Sequence, residues 1–260
     1  MLGFLRSFLP WCTSARAECA LVCERGLVRK DNQDSVFVDA RRGIFCLADG
    51  MGGGFEGGTA SRIVCKTMAK AAKARDLRRR VKSVGAALGE ANASIRRYAK
   101  DAGARVMGTT FAALFLDEPG SCRAAACQVG DSRIYRIRNG VAEPLMRDHT
   151  IGGQLSRSAK GDLATRLRSR DNPLAHVLTR SIGVEEKVVA EWRRFDVRRG
   201  DVFLVCSDGV HDVVADGFIG MLPAGGRSPE AMAEMLKAEV VRLGAPDNYS
   251  FVLVRPEVGP

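Results

Sequence analysis

A strand apolar enough to be buried on both faces seldom ends in a carboxylate, yet this sequence makes that join repeatedly. Ile44-Phe45-Cys46-Leu47-Ala48 runs directly into Asp49 and then into the glycines of DGMGGG. DVFLVCSDG repeats the construction and ends in Asp208. In GAPDNYSFVLV the acid, Asp247, stands at a strand's start, and Asp34 has the same relation to the strand in RKDNQDSVFV. Unbroken apolar runs of this kind are strands covered from both sides. If antiparallel sheets stack, such strand ends converge on one rim. Carboxylates gathered there repel one another and hold their protons more tightly. Magnesium or manganese, hard cations that take oxygen ligands, resolve the conflict, and two such ions balance the four acids. Neither His nor Cys occupies these positions, which argues against zinc. A single Asp-Gly is an ordinary turn; four acids in the same local setting are not.

The glycines after Asp49 have two readings. As a phosphate cradle, DGMGGG lacks the Gly-Lys-Ser/Thr ending of a P-loop, and no dinucleotide-type GxGxxG opens a helix. As metal-site backbone they fit better: without a Cβ, the Gly50 carbonyl is able to bend in as a ligand and substrate is able to approach closely.

Elsewhere the periodicity alternates between strand and helix. Residues 35–40 and 43–48 read as a hairpin. Residues 57–73 and 77–100 read as two amphipathic helices with a short joint, an antiparallel pair lying on something flat. Strand signals return over 108–118, 121–132, 133–140 and 141–146, the last two joined by the tight turn of RNG. Residues 148–176 are polar, Gly- and Arg-rich and weakly periodic, a long excursion of the functional kind. Strands at 188–196 and 201–207, a helix over 229–243 and a final strand, YSFVLVRP, complete the chain. Hairpin-linked strands with helices in blocks argue for antiparallel sheets with helices packed outside. No repeat or linker divides them, so one domain is expected.

Composition narrows the class further. With 46% hydrophobic and 27% charged residues, the chain has a globular balance, and no apolar stretch is long enough to span a bilayer. The segment MLGFLRSFLPWCTSARAECA is interrupted by Arg6 and Pro10 and is too short for a signal core. Residues 1–18 are read as a loosely docked lead-in and 19–256 as the domain. Several of the 8 cysteines, among them Cys46, Cys127 and Cys206, lie inside apolar runs as small buried hydrophobes. That usage points to a reducing, cytoplasmic setting. The net charge of +10 raises nucleic acid as a partner, but aromatics are only 6% and no nucleic-acid-binding motif appears. A basic surface equally attracts a phosphorylated, acidic protein.

Taken in order, RKDNQDS, LADGMGG, GTTFAALFL, VGDSRIYRIRNG, DHT, LTRSIG, VCSDGVHD and DNYSFVLV resemble the metal-dependent Ser/Thr protein phosphatases of type 2C, most of all the compact bacterial members. The resemblance runs from about residue 20 to 255. It implies an α+β, four-layer α-β-β-α sandwich: two antiparallel sheets flanked by antiparallel helix pairs, with a two-metal site at one edge. It implies that Asp49 bridges two manganese or magnesium ions and that the Gly50 carbonyl binds one of them. Asp208 and Asp247 would hold the other, and Asp34 would orient metal-bound waters. Arg29 would grip the substrate phosphate, and Asp131 would contribute to a third ion. Residues 148–176 would be the family's flap. Phosphoproteins made by a Ser/Thr kinase are the implied substrates, met by a monomer with no dedicated nucleic-acid partner.

Two positions depart from the family pattern. Met51 stands where many eukaryotic members have a His proposed as general acid, and Met has no proton to donate. Gln33 replaces a common Glu, which removes a charge from around the metal waters. Of the three histidines, His211 could face the cleft or be an ordinary loop residue; His149 suits local hydrogen bonding, and His176 adjoins the flap. The alternative function is a catalytically weak regulatory or phosphoprotein-binding member of the same fold.

Overall fold

The computed structural model describes residues 17–52, 55–71, 76–118, 121–157, 159, 161–167 and 172–258. Two antiparallel sheets form its centre. One has the order β1 (Ala17–Glu24), β11 (Tyr249–Pro256), β10 (Val202–Cys206), β7 (Arg133–Arg138), β8 (Val141–Pro144). The other runs β2 (Asp34–Asp39), β3 (Ile44–Gly52), β5 (Phe111–Leu116), β6 (Arg123–Val129), β9 (Glu191–Asp196), with β4 (Met107–Thr109) pairing the far end of β3.

Side-chain alternation explains the layering. On β3, Phe45 and Leu47 join Leu114, Phe203 and Val252 in the apolar layer between the sheets. Their neighbours Ile44, Cys46 and Ala48 point the other way, onto α1 (Phe55–Ala71) and α2 (Leu77–Asp101). On β10, Phe203 and Val205 face inward, whereas Leu204 and Cys206 meet Leu236 and Val240 of α7 (Pro229–Arg242). Each central strand is thus covered twice, which is why these runs read as continuously apolar. The outer layer beside α7 is completed by two short helices, α5 (Asp208–His211) and α6 (Asp216–Met221). The result is the expected α-β-β-α sandwich.

Boundaries differ from expectation where backbone pairing, not side-chain pattern, decides. β1 begins at Ala17, inside the stretch read as a lead-in, because Ala17 and Glu18 pair with Pro256 and Arg255; residues 1–16 lie outside the described set. Residues 108–118 split into β4 and β5 at Thr110, whose N–H turns to the Asp49 carbonyl at 2.8 Å. The RNG turn is as expected, with Asn139 and Gly140 both at positive φ. The excursion at 148–176 has its own helices, α3 (Ile151–Leu155) and α4 (Asp162–Leu167), in its described part. The seven described cysteines are all free, and Cys46, Cys127 and Cys206 are buried as expected. Among the described residues, no helix is long and apolar enough to cross a membrane.

Candidate metal centre

Both sheets deliver acids to the same rim. Asp34 opens β2 directly opposite Asp49 on β3. Asp208 follows β10 as the first residue of α5, and Asp247 precedes the neighbouring strand β11. Asp131 lies in the turn between β6 and β7, where the chain crosses between sheets. Gly130 has φ 95° there, and a Cβ on it would meet Thr110 at 2.7 Å, so only glycine fits this crossing.

Asp49 is not the end of its strand. β3 continues to Gly52 by exchanging partners, from Asp34 at Asp49 to Thr109 at Gly50. The glycine requirement comes from the next helix in the chain. A Cβ on Gly50 would lie 2.1 Å from the Gly57 carbonyl oxygen, and one on Gly57 would lie 2.8 Å from the Gly50 oxygen. The first turn of α1 therefore rests directly on the β3 backbone at the rim. Ser61 adds a hydrogen bond to the Gln33 carbonyl at 2.6 Å.

Burial and mutual repulsion make this rim costly. Desolvation pushes Asp34 up to about 7, and the charge of Asp208 adds to the rise. Asp49 is raised well above the ordinary carboxyl range, first by burial and then by Asp208, Asp34 and Asp131. Asp131 and Asp208 are raised for the same leading reason. The interaction between Asp49 and Asp208 raises the first and lowers the second, so the two carboxyls titrate as neighbours. Asp34 Oδ2 accepts from Ser207 Oγ at 3.0 Å; its other oxygen, Oδ1, is buried without a well-aligned hydrogen bond, although the nearby Ser250 hydroxyl offsets part of the rise. A poorly satisfied buried acceptor amid repelling, oxygen-only donors suits a hard divalent cation.

Arg29 does not stand free for a phosphate. Its Nε and Nη2 donate to the two oxygens of Asp247 at 2.7 and 2.6 Å. The guanidinium is held more basic by that bond and by the nearby charges of Asp208 and Asp49. The pair is more than half exposed on the arginine side, so it is easily exchanged for other partners. With Asp247 turned to Arg29, the acids converge without closing. Among the described residues, no three His, Cys, Asp or Glu side chains meet around one point.

Several supporting residues escaped the sequence reading although they adjoin its motifs. Asn248, beside Asp247, accepts from Gln33 N–H at 2.8 Å and donates to the Arg25 and Asp31 carbonyls at 2.8 and 2.9 Å. It staples the Arg29 loop to the start of β11. Ser207 precedes Asp208 and holds Asp34. Thr110 accepts from the Asp49 N–H at 3.0 Å. Of the histidines, His149 takes the Gly130 N–H on Nδ1 and approaches Glu191 at 3.0 Å. His211 is buried, its Nε2 facing the Asp131 carbonyl at 3.1 Å. His176, at the end of the flap, lies 3.2 Å from Asp212.

Known proteins agree with this architecture. The pattern of the family described as protein phosphatase 2C matches residues 23–245. The Ser/Thr protein phosphatase PstP of Mycobacterium tuberculosis is 30% identical over 88% of the chain, although the match spans only 43% of PstP's length. Among solved structures, PppA, described as a key regulatory component of T6SS in Pseudomonas aeruginosa, superposes with a TM-score of 0.82. It is 30% identical, and the match covers 93% of this chain and 98% of PppA. The catalytic domain of PstP in complex with 2 manganese ions gives a TM-score of 0.78 at 29% identity, covering 94% of this chain and 99% of that one. This chain belongs to the protein phosphatase 2C family.

Proposed function

We propose that the protein is a metal-dependent Ser/Thr protein phosphatase that hydrolyses phosphoserine and phosphothreonine in protein substrates. One observation carries the reading: Asp34, Asp49 and Asp208, brought from both sheets, share one rim with Asp131, where desolvation and mutual repulsion raise all four. Asp49, Asp208, Asp247 and the Gly50 carbonyl are the proposed ligands of manganese or magnesium, with Asp131 at a third position and Asp34 beside the ions, where it orients their waters. The manganese in the PstP structure supports that choice. Bound there, such ions supply positive charge that stabilises phosphate oxygens and lowers the proton affinity of water.

The chain's own residues position the reactants. Asp34, at the head of β2 opposite Asp49, accepts a hydrogen bond from the attacking water and orients it. Ser207 fixes the carboxylate for that task. Water attacks phosphorus opposite the Ser or Thr oxygen; the P–O bond to the side chain breaks, and inorganic phosphate leaves. Arg29, swinging from Asp247, offers its planar fork to the phosphate oxygens. Met51 lines the same cleft and has no proton to give, so the departing oxygen takes its proton from solvent. Phosphoserine and phosphothreonine arise from kinase action, so the enzyme opposes a Ser/Thr kinase. The free cysteines support a reducing, cytoplasmic setting.

The test is hydrolysis of a small aryl phosphate with and without manganese. The reading requires a manganese-dependent rate that Asp208→Asn lowers by about 100-fold or more. A flat baseline from folded, manganese-loaded protein overturns it in favour of a phosphoprotein-binding role.

A further inference from the structure

Two concavities flank the acidic rim. One, about 460 Å³, lies on the Arg29 side and includes Asp247 and Asn248. The other, about 490 Å³, reaches the end of the flap and includes Val106, Leu178 and Val184. Asp49, Met51 and Asp208 line both, so they form the ridge between them. The second concavity also carries charged groups, Asp131, Arg180 and Glu185, but on one side Met51, Val106 and Val184 gather into an apolar strip. Val106 is 55% exposed and Val184 42% exposed, and both open onto it.

That surface is built, not left over. A Cβ on Gly108 would meet Met51 Cε at 2.6 Å and Val184 Cγ2 at 3.0 Å, so both side chains close over a bare glycine. The β3–β4 ladder fixes Met51 opposite Gly108, and Thr109 exchanges backbone hydrogen bonds with Ile182 at 2.9 and 2.8 Å. Gly183, at φ 103°, then turns the chain outward. Helix α2 ties down residues 183–186. Asn92 accepts from the Gly183 N–H at 2.7 Å and donates to the Glu185 and Glu186 carbonyls at 3.0 and 3.1 Å. Arg96 donates to the Val184 carbonyl at 2.8 Å. An exposed valine on a loop pinned at four points does not recoil from solvent. Apolar groups held rigidly beside a reactive centre give a flanking side chain a preorganised surface to pack on.

We infer that Met51, Val106 and Val184 form a subsite for an apolar side chain flanking the phosphorylated Ser or Thr of the substrate. The inference rests on the phosphatase reading and deepens it. With the phosphate at the aspartates and Arg29, a substrate chain crossing the Met51 ridge lays an adjacent side chain on this surface. A charged side chain laid on Met51, Val106 and Val184 themselves loses water that these apolar groups do not replace, so the strip selects for apolar bulk.

The test uses the manganese-loaded protein and phosphothreonine peptides that carry Val, Leu, Lys or Asp at each position flanking the phosphoresidue, with a small aryl phosphate alongside. At one flanking position, kcat/KM for the Val or Leu peptide exceeds that for the Asp and Lys peptides by about tenfold or more. The double variant Val106→Asp, Val184→Asp brings that ratio close to one. Val184→Thr, which keeps shape but adds a hydroxyl, reduces it in part. Equal kcat/KM across all peptides, or a ratio that neither variant moves, overturns the subsite while aryl phosphate turnover leaves the phosphatase reading standing. Manganese-dependent turnover of neither peptides nor aryl phosphate overturns both.

Discussion

Two environments meet on β3 within a few residues. Phe45 and Leu47 are fully buried between the sheets among Leu114, Phe203 and Val252. Asp49, on the same strand, lies where Asp34, Asp131 and Asp208 press their charge upon it. The middle of the sandwich is stabilised by apolar contact; its rim holds carboxyls that burial and repulsion oppose. Stability and chemistry are therefore separated along one strand. The middle supplies the rigidity that keeps the rim's charges together, and the proposed cation would supply what the rim lacks.

Substitutions on the two sides of that divide have opposite consequences. Phe45→Ala removes a fully buried ring and lowers stability by about 3–5 kcal/mol, read from denaturant unfolding. Manganese affinity of the folded protein changes little, because no ligand is touched. Asp34→Asn does the reverse. In EDTA at pH 8 it raises stability by about 1 kcal/mol or more, since it deletes a charge the fold resists, while manganese-dependent activity is lost. A destabilised Asp34→Asn protein would break the contrast.

The pH dependence carries the same distinction with a definite sign. Asp34 keeps its proton to about pH 7 in the folded chain, against about 4 when unfolded. Below pH 4 both states hold the proton and the folded state has its full advantage. Between about 4 and 7 the unfolded chain releases the proton first, so stability falls as pH rises. In the proposed centre a bound cation would replace the proton. The difference in Tm between manganese-loaded and EDTA-treated protein thus widens from pH 5 to pH 8; a constant or shrinking difference across thermal melts counts against the account.

The smallest effect concerns Arg29. Its exposed pair with Asp247 is worth about 0.2–1 kcal/mol, so Arg29→Ala tightens manganese binding by no more than about fivefold. KM for a phosphopeptide rises by about tenfold or more, because a charged two-pronged contact is gone. Calorimetry and steady-state rates separate the two changes. A large gain in manganese affinity would mean the Arg29–Asp247 pair is a lock on the site.

Most of this was legible because the sequence encodes side-chain environment directly. Runs such as Ile44–Ala48 and Val202–Cys206 are apolar at every position because both faces are covered, and the acids beside them mark the rim. What eluded sequence reading is set by backbone pairing or by partners distant in the chain. β1 carries Glu18 and Glu24 and is only partly buried, so its pattern is faint, yet the β11 ladder fixes it. The continuation of β3 past Asp49 rests on ladder bonds to β4, which leave no mark on side chains. The Arg29–Asp247 pair joins residues 218 positions apart. Met51 reads as a missing proton donor in sequence, but its packing over Gly108 with Val184 appears only in three dimensions.

Anomalous diffraction at the manganese edge, from crystals grown with the ion, tests the account's core most directly. The prediction is a pair of manganese peaks at the rim within bonding distance of Asp49, Asp208 and Asp247, with Arg29 released from Asp247. Strong peaks elsewhere, or none beside those carboxylates in manganese-saturated crystals, contradict it.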